Sequence, residues 1–521
     1  MQSDPRSPDE YPSLVFGLIG PLGTDLDLLT KVLQDEVSKV GYGSELIQIS
    51  ELMKNIAPFT QINEKKEDIR IRRLMNAGTA LREATERGDV VAYLAMKKMM
   101  APERKGRNRK AKTKSVCYIV RSLKHPDEVE AFRDIYGDSF FAISAYAPRH
   151  QRVEKLARRI ASSHGDADWQ KHLPAAESLI LRDEDEEGSE FGQDVSKAFP
   201  EADFFVDVTS KRELSQEVER FIEIIFGHPF HTPHPHEMGM FQAFAASLRS
   251  ADLSRQVGAA ILTSDAEVIT LGCNEVPKAG GGQYWPGERD GRDFQRGYDS
   301  AAHYKREIIK QVIERFSNVV PGISAALTPR FLDGDLKHIF AGTQIANLLE
   351  FGRVVHAEMA ALSEAARRGV SVDRAILYCT TFPCHMCARH IIAAGVRKVV
   401  FIEPYPKSVS HELYSDSAEF DQGRSPMKRE GDRPTRVSFE SFVGISPKRF
   451  LGLFRKRIRK EKNGDALSWR KNGAHPSVRV REKAIRERIS SSIIFAEDVI
   501  SQKSEKISEY FAKLEEKHVD K

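Results

Sequence analysis

Four side chains in the strings HAE and PCHMC have the types and the spacing needed to hold and use a metal ion. His356 and Glu358 belong to the first string, and Cys384 and Cys387 belong to the second. One imidazole and two thiolates suit zinc, and three protein ligands leave a fourth position for water. Because Cys384 and Cys387 are three residues apart, on a helix they lie on one face and can share one ion. The pattern predicts a zinc site with an open position.

Glu358 lies two residues after the predicted histidine ligand, and we expect it not to bind the metal. Beside the water that the metal activates, its carboxylate can accept the water proton, deliver it to a ring nitrogen and then protonate a departing amine. Zinc lowers the pKa of bound water toward about 7, which makes hydroxide available at neutral pH. We therefore expect the metal to generate the hydroxide nucleophile and Glu358 to transfer the protons.

The C-x-x-C pair has two other common uses, as half of a structural zinc site or as a redox pair. A closed structural site needs a fourth ligand, for which Cys379 is the obvious candidate. Cys379 lies in the apolar pattern RAILYCT, where a small buried side chain is the simpler expectation. The His-x-Glu string and the proline before Cys384 favour the open site.

Alternating helices and strands are predicted around these strings, over residues 354–403. The segments are a helix HAEMAALSEAARRG, a strand RAILYCT, a helix CHMCARHIIAAG and a strand KVVFIE. Both metal-binding strings lie at predicted helix starts, where Pro383 suits a first turn and the helix N-terminus stabilises thiolate charge. Upstream, MGMFQAFAASLRSADLS is predicted as a helix, and VGAAIL and EVITLGCNE as a hairpin.

A second α/β pattern covers residues 13–227. Strands are predicted at 13–20, 116–123, 140–146 and 202–208, with helical segments between them. Strands that alternate with helices indicate a parallel sheet.

The first predicted strand runs into the glycine-rich string GPLGTD, which resembles a phosphate-binding loop. The loop residues expected to bind nucleotide are Gly17, Gly20, Gly23 and Thr24. Asp25, Leu26 and Asp27 stand where a Walker A loop has its lysine and hydroxyl, so kinase activity is not expected. Backbone N–H groups before a helix can still hold a phosphate. Nucleotide sensing and a purely structural scaffold both remain open.

Three further segments complete the predicted organisation. Residues 1–12 are expected to be disordered, residues 228–237 to form a linker, and residues 448–521 to form a basic, amphipathic helical region. We expect the C-terminal helices to pack on the 238–447 domain or on a neighbouring subunit. The linker contains His228, His231, His234 and His236. Dense histidines can bind zinc, but without cysteine or acidic partners at ligand spacing we expect them to be solvated.

Length and composition limit the classes of protein that fit. A chain of 521 residues exceeds one core, and 40% hydrophobic with 30% charged residues describes a folded globular protein. No apolar run could span a bilayer, and MQSDPRSPDE is too polar for a signal peptide. Five cysteines in a long chain indicate a reducing compartment, so a cytoplasmic location is expected. The balance of 79 basic and 75 acidic residues argues against a whole-chain nucleic-acid binder.

The combination of H-x-E with P-C-x-x-C is a signature of zinc deaminases. Residues from about 238 to 410 resemble the CMP/dCMP-type deaminase domain through LSRQVGAAIL, GCNEVP, HAEMAAL, TTFPCHMCARHIIAAG and EPYPKS. With its nucleotide-kinase-like N-terminal region, the chain resembles the bacterial anti-phage deoxycytidylate deaminases of the AvcD type. The resemblance implies zinc-dependent hydrolytic deamination of dCMP and dCTP, and a defence role through the nucleotide pool.

The resemblance also implies the fold. We expect an α/β chain with a P-loop-like parallel-sheet domain over 13–227. A cytidine-deaminase-like α/β/α domain over 238–447 is expected to follow, with a mixed five-stranded sheet flanked by helices.

Eight residues are candidates for substrate contact on the same resemblance. Asn274 would contact the deoxyribose hydroxyl, although a turn-forming role is the alternative. Phe382 and Tyr405 would wall the pyrimidine ring, although either may belong to the core. The candidate phosphate contacts are Arg249, Arg255 and Lys407, with Lys278 or Arg289 as substitutes if the long insert KAGGGQYWPGERDGRDF has taken over that task.

The expected partners are a deoxycytidine nucleotide as substrate, a regulatory nucleotide at the N-terminal domain and, from the family, an inhibitory small RNA. We also expect a homo-oligomer and no membrane contact. A deaminase acting on single-stranded DNA or RNA is the main alternative, but it needs a basic groove with stacking aromatics, and no such alternation surrounds the signature. A third hypothesis is a nucleotide-binding regulator whose metal site is only structural. The presence of Glu358 argues against it, because a structural metal site does not need this acid.

Overall fold

The structure of the protein is a computed structural model. The described residues are 11–100, 115–186, 189, 191–287, 290–320, 328–332, 334, 337–340, 343, 345, 350–404, 408–420, 435–455, 458–472, 474–478 and 482–516. The chain divides into two compact units. The first comprises Met1–Pro233, Asp421–Arg424 and Ser441–Lys521, and the second comprises His234–Phe420 and Ser425–Glu440.

The strands and helices are numbered along the chain. The strands are β1 (Leu14–Ile19), β2 (Gly43–Gln48), β3 (Val116–Leu123), β4 (Phe140–Tyr146), β5 (Phe204–Asp207), β6 (Gly258–Leu262), β7 (Val268–Cys273), β8 (Ile376–Thr381), β9 (Lys398–Glu403), β10 (Ala418–Phe420), β11 (Val437–Ser441) and β12 (Gly444–Ile445). The helices are α1 (Leu26–Lys39), α2 (Ile49–Met53), α3 (Glu67–Thr85), α4 (Val90–Met100), α5 (Pro126–Tyr136), α6 (Arg149–His164), α7 (Leu173–Glu184), α8 (Val195–Ala198), α9 (Lys211–Ile225), α10 (Pro235–Ser247), α11 (Asp293–Arg296), α12 (Ser300–Ser317), α13 (Thr328–Leu332), α14 (Ala357–Arg368), α15 (His385–Ala393), α16 (Ser410–Leu413), α17 (Phe450–Phe454), α18 (Glu482–Gln502) and α19 (Ser504–Glu516).

The sheet of the first unit has the strand order β12-β5-β4-β1-β3-β2. Its first five strands along the chain are parallel, and β12 pairs antiparallel with β5. The α/β class and the strands β1, β3, β4 and β5 agree with the sequence prediction. Every residue of β1 is buried, as expected for a central parallel strand covered on both faces. The edge strands β2 and β12 were not predicted.

The sheet of the second unit is mixed and has the order β10-β11-β9-β8-β6-β7. β6 pairs antiparallel with both β7 and β8, whereas β8 and β9 are parallel. Six strands are present in the described part of this unit, where the sequence predicted five. Two of them, β10 and β11, follow the last strand that was recognised in the sequence.

Two glycines let helices approach the second sheet closely. A Cβ on Gly258 of β6 would lie 1.9 Å from the Ala243 carbonyl oxygen of α10. A Cβ on Gly272 of β7 would lie 2.2 Å from the Ala357 carbonyl oxygen and 2.6 Å from the Ala361 nitrogen, both in α14. Backbone atoms cannot move aside as a flexible side chain can, so these positions set how near the helices lie to the sheet.

The helix that opens the second unit differs from the prediction at both ends. α10 begins at Pro235, inside the predicted linker, and ends at Ser247. Pro235 stands at a first helical position, where proline costs no hydrogen bond. The MGMF string is therefore the second turn of this helix and not its start.

The C-terminal region packs differently from our expectation. Residues 441–447 were assigned to the second domain, but β12 belongs to the sheet of the first unit. α18 packs on α4 and α5, and α19 packs on α3. Phe511 meets Phe59 edge to face with ring centroids 5.2 Å apart, and Asn76 donates to Glu515 at 2.6 Å. Of the two expectations for these helices, packing on the 238–447 domain or on a neighbouring subunit, the first is wrong, because buried residues such as Ile507 and Phe511 lie in helices that pack on the first unit.

Among the described helices, none combines the length and apolar character needed to cross a membrane.

Gly272→Ala should displace α14 from β7. Overpacking against fixed backbone usually costs about 1 to 3 kcal/mol, so we expect the free energy of unfolding of the second unit to fall by about that much. Chemical denaturation checks the change. Leu271→Ala is the matched control, since Leu271 is the adjacent residue and is 42% exposed. Equal stability of the two variants would contradict the close approach of α14.

Candidate active site

His356, Cys384 and Cys387 come together in the second unit. The Cys384 and Cys387 Sγ atoms lie 3.3 and 3.4 Å from His356 Nδ1, and all three donor atoms lie within 4.8 Å of one another. His356 is the N-cap of α14 and Cys384 is the N-cap of α15. The geometry is the one that the sequence spacing predicts.

Backbone hydrogen bonds fix both ligand-bearing strings. Val355, just before His356, exchanges N–H···O bonds with Glu275 at 3.1 and 3.3 Å. Phe382, two residues before Cys384, donates its N–H to the Glu403 carbonyl at 2.8 Å. The N-terminal ends of two helices therefore meet because each is attached to a neighbouring strand end.

The residues present fit a zinc ion held by three ligands. The donors are one imidazole nitrogen and two sulfurs, and Cys384 and Cys387 are 6% and 1% exposed. Within the described residues no fourth histidine, cysteine or carboxylate joins this group. Cys379 is fully buried in the apolar cluster around β8, in keeping with the packing role expected for it.

Hydrogen bonding between the ligands polarises them. The hydrogen bond to Cys384 raises the pKa of His356 to about 9, and the hydrogen bond from Cys387 lowers the pKa of Cys384 to about 4. The pair thus favours imidazolium beside thiolate. A metal ion that binds Nδ1 must displace the imidazole proton, so binding is coupled to proton release.

Glu358 lies in the first turn of α14 and is 4% exposed. Burial raises the pKa of its carboxyl group, and the nearby His356 opposes this shift only in part. A raised pKa makes the carboxylate a stronger base, which favours the uptake of a proton from water. Glu358 and Asp293 are buried carboxyls among the described residues that line this cavity, and Glu358 is the one that follows the ligand His356 by two residues.

The cavity at this site has a volume of about 230 Å³ and is lined by His356, Glu358 and Cys384. Asn274 and Phe382 also line it, as the sequence predicted for substrate contacts. The Asn274 amide accepts from Val257 N and donates to Arg255 O, both at 2.7 Å. Asn274 therefore holds the 255–257 loop while facing the cavity.

The predicted phosphate contacts that the structure describes line two different cavities. Arg255 lines the cavity and pairs with Glu403 at 2.8 Å. Arg249 lies elsewhere, where its guanidinium stacks 3.9 Å above the Trp285 ring. Lys278 lines that other cavity with Arg249. Tyr405, Lys407 and Arg289 lie outside the described residues.

Sequence reasoning missed Arg353, a second cation among the residues that line the cavity with Glu358. Its guanidinium pairs with Asp293 at 2.6 Å and donates to the Gly291 carbonyl at 3.2 Å. The sequence could have indicated Arg353, because it lies three residues before His356 in FGRVVHAE. Its partner lies 60 residues earlier in the chain, so the pairing itself was not visible in the sequence.

The glycine-rich loop of the first unit borders a separate cavity of about 290 Å³. Gly20, Gly23 and Thr24 line it. Gly17 instead lies within β1, where an added Cβ would meet Leu123 and Phe140 at 2.7 and 2.8 Å. Gly17 is therefore a packing residue of the strand and not part of the loop.

Two side chains from elsewhere in the first unit hydrogen-bond to the backbone of this loop. The Asp183 carboxylate, which is 1% exposed, accepts the Leu22 N–H at 2.7 Å. Lys124 Nζ donates to Asp183 and to the Gly20 carbonyl, both at 2.9 Å. Lys124, from the residue after β3, thus places an ammonium beside a loop that has no lysine of its own.

Comparison with known proteins identifies the second unit. Residues 233–403 match the family model of the cytidine and deoxycytidylate deaminase zinc-binding region. The deoxycytidylate deaminase of Enterobacteria phage T2 is 43% identical over 54 residues, which are 10% of this chain and 29% of the phage protein. ComE operon protein 2 of Bacillus subtilis (strain 168) is 42% identical over 53 residues, 10% of this chain and 28% of that protein. The chain thus spans less than a third of the length of these curated relatives.

Among solved structures, the dCMP deaminase of cyanophage S-TIM5 in complex with dCMP and dUMP is 18% identical and aligns with a TM-score of 0.23. The alignment covers 41% of this chain and all of the cyanophage chain. Residues 233–403 of this chain are thus similar to the zinc-binding region of cytidine and deoxycytidylate deaminases.

Proposed function

We propose that the second unit is a zinc-dependent hydrolase that deaminates the deoxycytidine nucleotides dCMP and dCTP. Water adds at C4 of the cytosine ring, the exocyclic amine leaves as ammonia, and a deoxyuridine nucleotide is formed. One observation carries the proposal: the buried carboxyl of Glu358 shares a cavity with His356 and Cys384, which belong to a group of one imidazole and two thiols. The similarity to phage proteins named deoxycytidylate deaminase supports the substrate class.

His356, Cys384 and Cys387 would hold the zinc ion. When bound in a three-ligand site, zinc lowers the pKa of water and so provides a nucleophile at neutral pH. The short Sγ to Nδ1 distances and the burial of both thiols support this assignment.

Glu358 moves the protons. Its carboxylate accepts one proton from the attacking water and delivers it to the ring nitrogen N3. It then takes the second water proton from the hydroxyl group at C4 and gives it to the amine, so that ammonia and not an amide anion leaves C4. Burial keeps bulk water from competing with these transfers and raises the pKa of Glu358 toward the value that suits both steps.

The substrate phosphate is assigned to Arg255 and Arg353. Both guanidiniums line the cavity, and each is already held by a carboxylate, Glu403 and Asp293 respectively. Such ion pairs orient the guanidiniums before substrate arrives, and a phosphate gains charge-assisted hydrogen bonds from them. Asn274 and Phe382 complete the wall for the sugar and the ring.

We assign the first unit a regulatory role and the whole chain a part in defence against phage. Arg70, Arg121 and Arg159 line the cavity beside the glycine-rich loop, together with Lys124. That cavity lies beyond the carboxyl ends of β1, β2 and β3, where ligands bind in open α/β sheets. A nucleotide bound there would report on the same pool that the second unit changes. The resemblance of the full chain to anti-phage deaminases supports the defence role.

Glu358→Gln should leave the metal bound and lower kcat about 10²- to 10⁴-fold, because the amide cannot take up the proton. Ammonia release from dCMP measures the rate. Glu364→Gln is the control and should keep full activity, since Glu364 is a partly exposed residue of the same helix that pairs with Arg367. Turnover of Glu358→Gln at the wild-type rate would refute the role of Glu358.

Cys384→Ser should abolish the thiolate-to-metal absorption of the cobalt-substituted protein and its activity together, since one of three ligands is lost. Cys379→Ala is the matched control, and it should keep the absorption even if it lowers stability. Exhaustive chelation should stop the wild-type reaction and added zinc should restore it. Full activity after chelation, or loss of the absorption in Cys379→Ala, contradicts the three-ligand assignment.

The purified chain should release uracil-containing products from dCMP and dCTP and leave cytosine in single-stranded DNA unchanged. Arg353→Gln should raise the KM for dCMP by about tenfold and barely affect the reaction of deoxycytidine, which has no phosphate. Arg368→Gln, which changes an exposed arginine of α14, is the control. Deamination confined to the oligonucleotide would support the single-stranded DNA alternative and overturn the nucleotide assignment.

A further inference from the structure

A second group of metal-type ligands lies in the first unit, at the C-terminal end of α9. This helix ends in a Schellman turn, in which His228 N donates to Glu223 O at 2.9 Å and Gly227 N donates to Ile224 O at 3.1 Å. Gly227 takes the left-handed conformation that this turn requires, with φ of 79°. The turn folds the chain back and brings His228 over the last helical turn, beside Glu223.

The side chains of this turn converge. His231 Nε2 lies 2.7 Å from Glu223 Oε2, and the His228 and His231 rings have centroids 4.2 Å apart. Ligand atoms from Glu223, His228 and His231 all lie within 4.8 Å of one another. Two imidazoles and a carboxylate are a ligand set that zinc uses with one position left for water.

This arrangement corrects the expectation that the linker histidines have no acidic partner. Glu223 precedes His228 by five residues and lies in a helix, so it was not recognised as part of the same group. His234 and His236 do not belong to the group found among the described residues.

Contacts from the C-terminal segment hold the turn in place. Trp469 packs edge to face on His228 with centroids 4.8 Å apart, and its Nε1 donates to the Phe226 carbonyl at 3.2 Å. Arg459 donates to the Pro229 carbonyl at 2.9 Å. A site whose backbone is fixed in this way loses little entropy when it binds an ion.

One cation competes for the carboxylate. Lys471 Nζ lies 3.3 Å from Glu223 Oε1 and also pairs with Glu219. It engages the oxygen that faces away from His231, so Glu223 Oε2 remains directed toward the imidazoles. The negative end of the α9 dipole favours a cation at the same place.

We propose that Glu223, His228 and His231 form a second site, for a divalent transition-metal ion of the zinc class, separate from the His356 group. The ion ties the last turn of α9 to the segment that follows it, and so stabilises the first unit. Imidazole and carboxylate donors without sulfur distinguish this site from the thiolate site of the second unit.

Metal content per chain tests the proposal on the full-length protein. After zinc loading and dialysis, the wild type should retain two zinc ions and His231→Gln should retain one. The cobalt form of His231→Gln should keep its thiolate-to-metal absorption, because that signal comes from the His356 group alone. His164→Gln is the control, since His164 pairs with Asp68 at 2.7 Å in the same unit but is not part of a three-ligand group. It should retain two ions.

Thermal unfolding and a second variant separate metal binding from simple packing. Zinc should raise the Tm of the metal-free wild type by a larger amount than it raises that of His231→Gln. Lys471→Gln should tighten zinc binding at this site by about tenfold, because a positive charge beside Glu223 is removed. A packing role alone predicts lower stability in Lys471→Gln with unchanged zinc affinity. That result, or retention of two zinc ions by His231→Gln, would overturn the proposal.

Discussion

The candidate site depends on one constraint: the residues just before α14 and α15 are attached by backbone hydrogen bonds to residues at or just after the ends of neighbouring strands. Val355 pairs with Glu275, and Phe382 pairs with Glu403, directly ahead of the residues that provide the metal ligands. Each helix then begins at its ligand, with His356 and Cys384 as N-caps. Since N–H groups at helix starts point outward with partial positive charge, they stabilise the thiolate that the metal needs. Glu358 reaches the cavity because it follows His356 within the same first turn.

Much of this site was predictable because its parts lie close together in the sequence. The spacing of His356 and Glu358, and of Cys384 and Cys387, records local helical geometry. Arg353 and its partner Asp293 were not identified, since their pairing depends on how distant segments fold together. The same reason explains the first sheet. Four of its strands are apolar runs, whereas β12 is a two-residue strand that pairs with β5 more than 200 residues earlier.

The glycine-rich loop shows how a motif can persist with altered chemistry. The lysine of a phosphate-binding loop is absent, and Lys124 supplies an ammonium from the neighbouring strand. Asp183 accepts a loop N–H that could otherwise bind an anion. The loop residues are thus held by side chains of the protein itself. The sequence pattern identified the loop, but only the fold showed that Asp183 and Lys124 hydrogen-bond to its backbone.

The C-terminal part of the chain belongs to the first unit, and this limits where the protein can be truncated and which segments can be exchanged. Because β12, α18 and α19 belong with the N-terminal residues, the second unit is an insertion within the first unit. Removing everything after residue 440 would take β12 and the helices α17, α18 and α19 from the first unit and leave the second unit nearly whole. Swapping the inserted segment for that of a relative requires two junctions, one near 234 and one near 440, and neither coincides with an end of the polypeptide.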